Sequence, residues 1–152
     1  MSRVAMTIGF LLAAGALLGA GASIGTWKLN AAKSKFSPGP PPQSMTVTYE
    51  ASGKGVKRIG ETVDSAGAKT SWGYTAHYNG KDYPISGNPA ADMISLKKVN
   101  ARTVEATLKK GGKAVSHATR VVSADGKTLT ISIKGQNEKG QEVDNIQVYD
   151  KQ

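Results

Sequence analysis

The chain of 152 residues has no cysteine and only two histidines and two phenylalanines. Without thiols there can be no disulfide, no thiolate metal centre, no cysteine nucleophile and no lipid attached at a cleavage-site cysteine, so stability has to come from packing and strand pairing. The histidines, His77 and His117, stand singly, with no partner at ligand spacing and no H-E-x-x-H. They read as polar residues on an outward or lumen face, and metal ligation would need both to meet a carboxylate such as Glu105. No G-x-S-x-G occurs, and Ser86-Gly87-Asn88-Pro89 reads as a turn. Gly55-Val56-Lys57-Arg58-Ile59-Gly60 begins like a phosphate loop, but Glu61 stands where the lysine belongs and the segment has strand composition. The acidic residues occur singly, chiefly at turns, with no glycosidase-like pair. Catalytic residues, metal and cofactor are all assigned as none, and the chain reads as a non-enzyme.

Helical periodicity is also missing after residue 22. What recurs instead is a turn signal with a lysine: Ser52-Gly53-Lys54-Gly55, Gly67-Ala68-Lys69, Asn79-Gly80-Lys81, Gly111-Gly112-Lys113, Asp125-Gly126-Lys127 and Lys139-Gly140. Glycine supplies the positive φ of tight hairpins, and the Val-, Ile-, Thr- and Tyr-rich stretches between suit a half-buried pleated surface. Period-two alternation predicts ten strands, at about 26–30, 45–51, 56–63, 69–78, 82–86, 92–99, 102–109, 113–122, 127–134 and 142–150. The piece 82–86 is short enough to be part of a loop. Met45, Val47 and Tyr49 oppose Thr46, Thr48 and Glu50; Trp72, Tyr74, Ala76 and Tyr78 oppose Ser71, Gly73, Thr75 and His77; Leu129, Ile131 and Ile133 oppose Thr128, Thr130 and Ser132. One apolar and one polar face on each strand predict an all-β, antiparallel up-and-down meander closed into a small barrel of about 8–10 strands, with a two-sheet sandwich as the alternative. Between the first two strands, Ser37-Pro38-Gly39-Pro40-Pro41-Pro42 predicts a stiff extended connection without ladder donors.

The start of the chain follows a different rule. Met1-Ser2-Arg3 is positive, Val4 to Leu18 is almost wholly apolar, and Ala20-Gly21-Ala22 is a small-x-small triplet. This predicts a signal peptide at 1–22, cut after Ala22, and one domain at 23–152 that is secreted or periplasmic, with no stable membrane insertion after cleavage. Lys and Arg number 20 against 11 Asp and Glu, a formal charge of +9. The lysines are scattered over turn tips and outward positions, where they favour solubility and blunt strand edges, so no nucleic-acid partner is expected. Lys97-Lys98 and Lys109-Lys110, near one hairpin, are the places an anionic partner would be sought.

Gly25-Thr26-Trp27-Lys28-Leu29-Asn30 opens the expected domain and Val148-Tyr149-Asp150-Lys151 closes it. This pair of ends resembles the calycin superfamily, the lipocalins and fatty-acid-binding proteins, in which a G-x-W opens the first strand and a V-Y-E-K-like strand closes the fatty-acid-binding branch. Asp92 through Leu129 also resembles small secreted bacterial proteins of unknown role. The resemblance implies a barrel that holds a small hydrophobic or amphipathic molecule. It implies Arg120 and Tyr149 as surviving parts of a carboxylate clamp, with Gln147 where an arginine would stand, and hence a neutral or weakly polar ligand. The helix-turn-helix lid of that branch is replaced by the proline segment, which implies a differently covered portal. Trp72, Tyr74, Tyr78 and Tyr83, with Tyr49 and Tyr149, either line a ligand pocket or simply fill the barrel, and Trp27 plugs one end. The competing reading is a ligand-free structural or interaction protein whose basic surface meets an anionic partner or envelope component.

Overall fold

The computed structural model describes residues 21–152. Ten antiparallel strands, β1 (Gly25–Leu29), β2 (Ser44–Ser52), β3 (Gly55–Val63), β4 (Lys69–His77), β5 (Asn79–Ser86), β6 (Met93–Asn100), β7 (Thr103–Lys110), β8 (Lys113–Val122), β9 (Thr128–Gln136) and β10 (Glu142–Lys151), follow one another around a closed barrel. Each pairs with its neighbours in sequence, and β1 closes the ring on β10, with Trp27 opposite Lys151 and Leu29 opposite Tyr149. This is a closed up-and-down barrel, not a sandwich. The two ends of the domain that carried the resemblance are thus adjacent in space.

The turns explain themselves chemically. Asp64, Asn79, Asn88, Asn100, Asp125 and Asn137 each accept, through Oδ1, the backbone N–H two residues on, at 2.9–3.0 Å. Asx side chains offer the chain a turn before any sheet partner is met, and this fixes hairpin register locally. At Asp125-Gly126, the glycine takes φ +73° and its N–H closes the turn on the Ser123 carbonyl at 2.9 Å.

Two elements differ from expectation. The segment 82–86 belongs to a full strand, β5, in which Tyr83 and Ile85 turn inward and Pro84 is exposed. Proline has no N–H to give, and the β4–β5 ladder is confined to Gly73↔Ser86 and Tyr74↔Ile85. The proline-rich connection is likewise partly wall. After a single 3-10 turn, Ala31–Lys33, the Ser34 hydroxyl donates to the Asn30 carbonyl at 2.7 Å and accepts the Val148 N–H at 2.9 Å. Lys35 and Ile146 then exchange both backbone hydrogen bonds at 2.8 Å, and the Ser37 carbonyl accepts the Asp144 N–H. The chain from Lys35 to Ser37 therefore continues the short β1 along β10 before the prolines carry it across to β2.

One end of the barrel carries the β2–β3, β4–β5, β6–β7 and β8–β9 turns and both ends of the described chain. Here Trp27, fully buried, donates Nε1–H to the Ser23 carbonyl at 2.8 Å, so the residue expected to begin the processed chain is packed beneath the tryptophan. Apart from Gly21 and Ala22, the expected signal peptide lies outside the described residues. Val47, Val56, Leu129 and Tyr149 complete the packed end. The opposite end, the mouth, carries the β5–β6, β7–β8 and β9–β10 connections.

Candidate functional site

Between the packed end and the mouth lies a cavity of about 300 Å³. Its apolar wall is made by Met45, Ile94, Leu96, Leu108, Ile131 and Ile133, the inward positions of four strands. At the mouth stand Asn88, Gln136, Asn137 and Asn145. The polar groups deeper in are the Gln147 amide and two guanidiniums. Arg58 and Arg120 are each 6 % exposed and both border the cavity.

Arg58 is inward because β3 alternates Val56, Arg58, Gly60 on its buried face. The side chain leans along the strand over Gly60, stacks on Trp72 with Cζ 3.5 Å from the ring centroid, and donates Nη1–H to the Trp72 carbonyl at 2.9 Å. Gly60 is what makes room: a Cβ there would lie 2.7 Å from both Nη1 and Nη2. Arg120, on β8, donates Nη2–H to the Tyr78 hydroxyl at 3.1 Å and places Cζ 4.4 Å from the centroid of the Tyr49 ring. Tyr49 is the cross-strand partner of Arg58, so one phenol stands beside both cations.

The buried polar side chains of the described residues are Ser23, Arg58, Ser116, Arg120 and Gln147, among which there is no carboxylate. The ion pair found among the described residues, Lys109–Asp82, is on the surface. Two charges are thus held out of water without an acidic partner, an arrangement that costs several kcal/mol per ion unless something compensates it. Tyrosine oxygens are the compensation at hand. Burial pushes the Tyr49 phenol up, but the charges of Arg120 and Arg58 outweigh it and hold it below the ordinary value of 10.0. Tyr74, buried with weaker help from the same arginines, is pushed up to about 12.

The sequence-derived residues divide into two groups. Arg120, Gln147, Trp72 and Tyr74 border the cavity. Tyr149 and Tyr78 are held behind it: Tyr149 donates its hydroxyl to Gln147 Oε1 at 2.7 Å, aiming the amide, and Tyr78 anchors Arg120. Burial raises the Tyr149 phenol, consistent with a donor that keeps its proton. Sequence reasoning missed Arg58 as a lumen residue. The signal was the alternation Val56-x-Arg58-x-Gly60, masked by apolar Ile59 on the outer face.

The remaining candidates are on the outside. His77 and His117 are exposed on β4 and β8, Glu105 is exposed on β7, and among the described residues no group of three His, Asp or Glu could hold a metal. Lys97-Lys98 and Lys109-Lys110 lie toward opposite ends of the β6–β7 hairpin. Lys97 faces Glu105 across the strands, Lys98 Nζ is 4.8 Å from the Tyr78 ring centroid, and Lys109 pairs with Asp82 at 3.0 Å.

No family model matches the chain, and no curated protein matches it in sequence. Among solved structures it is similar to the ileal bile acid-binding protein of zebrafish, determined with cholic acid, at 10 % identity over 86 % of this chain and 99 % of that one, with a TM-score of 0.48.

Proposed function

We propose that the protein is a binding protein, not an enzyme, that holds one small amphipathic molecule in the barrel, apolar body against Ile94, Leu96 and Ile131 and an anionic end toward Arg58 and Arg120. The observation that carries this reading is the pair of buried guanidiniums at the base of an apolar cavity without a carboxylate to neutralise them. A volume of about 300 Å³ is at the lower end of ligand pockets, which run from roughly 300 to 1,000 Å³, and favours a compact ligand. Arg58 reverses the expectation of a neutral ligand: the arginine that Gln147 replaces on β10 has a counterpart on β3. The basic surface is the weaker reading, because the basic pairs singled out are separated and largely engaged one by one.

The test is a panel of environment-sensitive probes. Anilinonaphthalene sulfonate should bind with micromolar affinity and its neutral analogue phenylnaphthylamine at least tenfold more weakly. Equal affinities, or binding by neither, would remove the reading. We propose further that the protein acts outside the cytoplasm, on the strength of the Met1–Ala22 pattern. Secreted material should then begin at Ser23, and recovery of the full-length chain in carbonate-resistant membranes would contradict it.

A further inference from the structure

Tyr49 also borders the cavity, and it is the group placed against both buried cations. The titratable and charged groups on the lumen side of each strand are few. β3 brings Arg58, β4 brings Tyr74, β8 brings Arg120 and β10 brings Tyr149; Tyr78 stands between β4 and β5, and β5 brings Tyr83, whose hydroxyl accepts from Asn79. β6 brings Lys98, half-buried with Nζ 4.8 Å from the Tyr78 ring centroid, and the end of β10 brings Lys151, 5.6 Å from that of Trp27; the inward residues of β7 and β9, among them Val104 and Ile131, carry no charge, and Gly25 of β1, opposite Tyr49, brings no side chain. Tyr149 donates to Gln147 and Tyr78 receives from Arg120. Tyr74 is also a cross-strand partner of Arg58, but it is the Tyr49 ring that Arg120 covers, so Tyr49 is the phenol placed beside both cations.

We infer that Tyr49, as phenolate, is the internal counter-ion of Arg58 and Arg120, and that an anionic ligand takes its place by exchange: the anion binds the guanidiniums and Tyr49 takes up one proton. The inference rests on the proposed anion-binding reading and adds its coupling. The balance is simple. Phenolate, carboxylate and one proton from water become phenol and bound carboxylate; the new bond is Tyr49 O–H, and the charge of the site is unchanged. The lowered titration of Tyr49 described above agrees with the geometry. Selection follows from it, since a neutral ligand gains nothing from displacing the phenolate whereas a monoanion replaces it charge for charge.

The test is the ultraviolet titration of tyrosinate in the purified protein without ligand, in the parent and in Tyr49→Phe, which keeps the ring beneath Arg120. Of the five tyrosines, one should ionise below the ordinary tyrosine range in the parent and be missing from Tyr49→Phe. Arg58→Gln should move it upward, an independent check should the phenylalanine variant fold poorly. Saturating decanoate should also move it upward. Decanoate affinity in the parent should be flat below the Tyr49 midpoint and fall about tenfold per pH unit above it, and Tyr49→Phe should lose that slope. Superimposable ligand-free titrations of parent and Tyr49→Phe would overturn the inference, as would an early tyrosinate that bound decanoate leaves unmoved. If decanoate and the anionic probe bind neither protein, the ligand reading falls and the exchange with it, while an early tyrosinate would still support the internal counter-ion.

Discussion

The two halves of the barrel interior are made by the same alternation of residues but reach different ends. Around Trp27, Val47, Leu129 and Tyr149 the side chains fill the lumen and leave about 10 Å³ beside Ser23 and Tyr78. Toward the mouth, Ile94, Leu108, Ile131 and Ile133 stand back from about 300 Å³ of space with two guanidiniums at its base. Trp27 and Tyr149 fill the first half, whereas Trp72 and Tyr74 stand in the wall of the second and leave its centre open. The packed half supplies the stability that lets the other half hold buried charge.

The largest effect that would break this comparison is Trp27→Ala. Removing a fully buried tryptophan should cost about 3–5 kcal/mol, a large share of the roughly 5–15 kcal/mol of a small domain. A melting temperature within a degree or two of the parent would show that the packed half does not carry the fold. A matched pair sharpens the point. Leu129→Ala, in the packed half, should cost about 2–5 kcal/mol by chemical denaturation, and Leu108→Ala, already beside the cavity and half-buried, about 1–2 kcal/mol. Equal costs would erase the distinction.

Gly60→Ala acts on the site instead. Its Cβ would meet the movable end of Arg58, so the guanidinium must shift off Trp72; stability should change little while anionic-probe affinity falls several-fold. At Gly73 the same change should be worse for the fold, because a Cβ there would collide with the Arg58 backbone carbonyl, which cannot swing aside. The smallest effect is in pH. Because Tyr49 titrates below 10.0 in the folded chain, its contribution to stability is present above the ordinary tyrosine pKa and is lost as pH falls through the lowered value. Relative to Tyr49→Phe, the parent should therefore gain stability as pH rises toward 10, and a gap that stays constant would contradict the placement of Tyr49 between two cations.

Much of this was legible in the sequence for a physical reason: a sheet with one buried face writes its burial as alternation. Met45-x-Val47-x-Tyr49 and Leu129-x-Ile131-x-Ile133 show it without ambiguity, and the Asx and glycine turns mark where each strand stops. β5 showed only as the short piece 82–86 because Asn79-Gly80-Lys81, which opens the strand, carries the residues of a turn. The pairing of Lys35 and Ser37 with β10 is made by backbone groups that no side chain announces. Arg58 was hidden because Ile59 beside it is apolar and 42 % exposed, so either face of β3 could have been chosen. Arg120 and Gln147 were found through the resemblance of the chain ends, and the second arginine lies where that resemblance does not reach.

The measurement that bears most directly on the site is a calorimetric titration of decanoate and decanol, equal in chain length and different in head group, into the parent, Arg58→Gln and Arg120→Gln. A charge-assisted contact is worth about 1.5–3 kcal/mol, so the carboxylate should bind the parent one to two powers of ten more tightly than the alcohol, and each substitution should remove most of that difference while leaving decanol unchanged. Equal binding of acid and alcohol to the parent, or a preference for the acid that survives both substitutions, would contradict an anion site built on these two arginines.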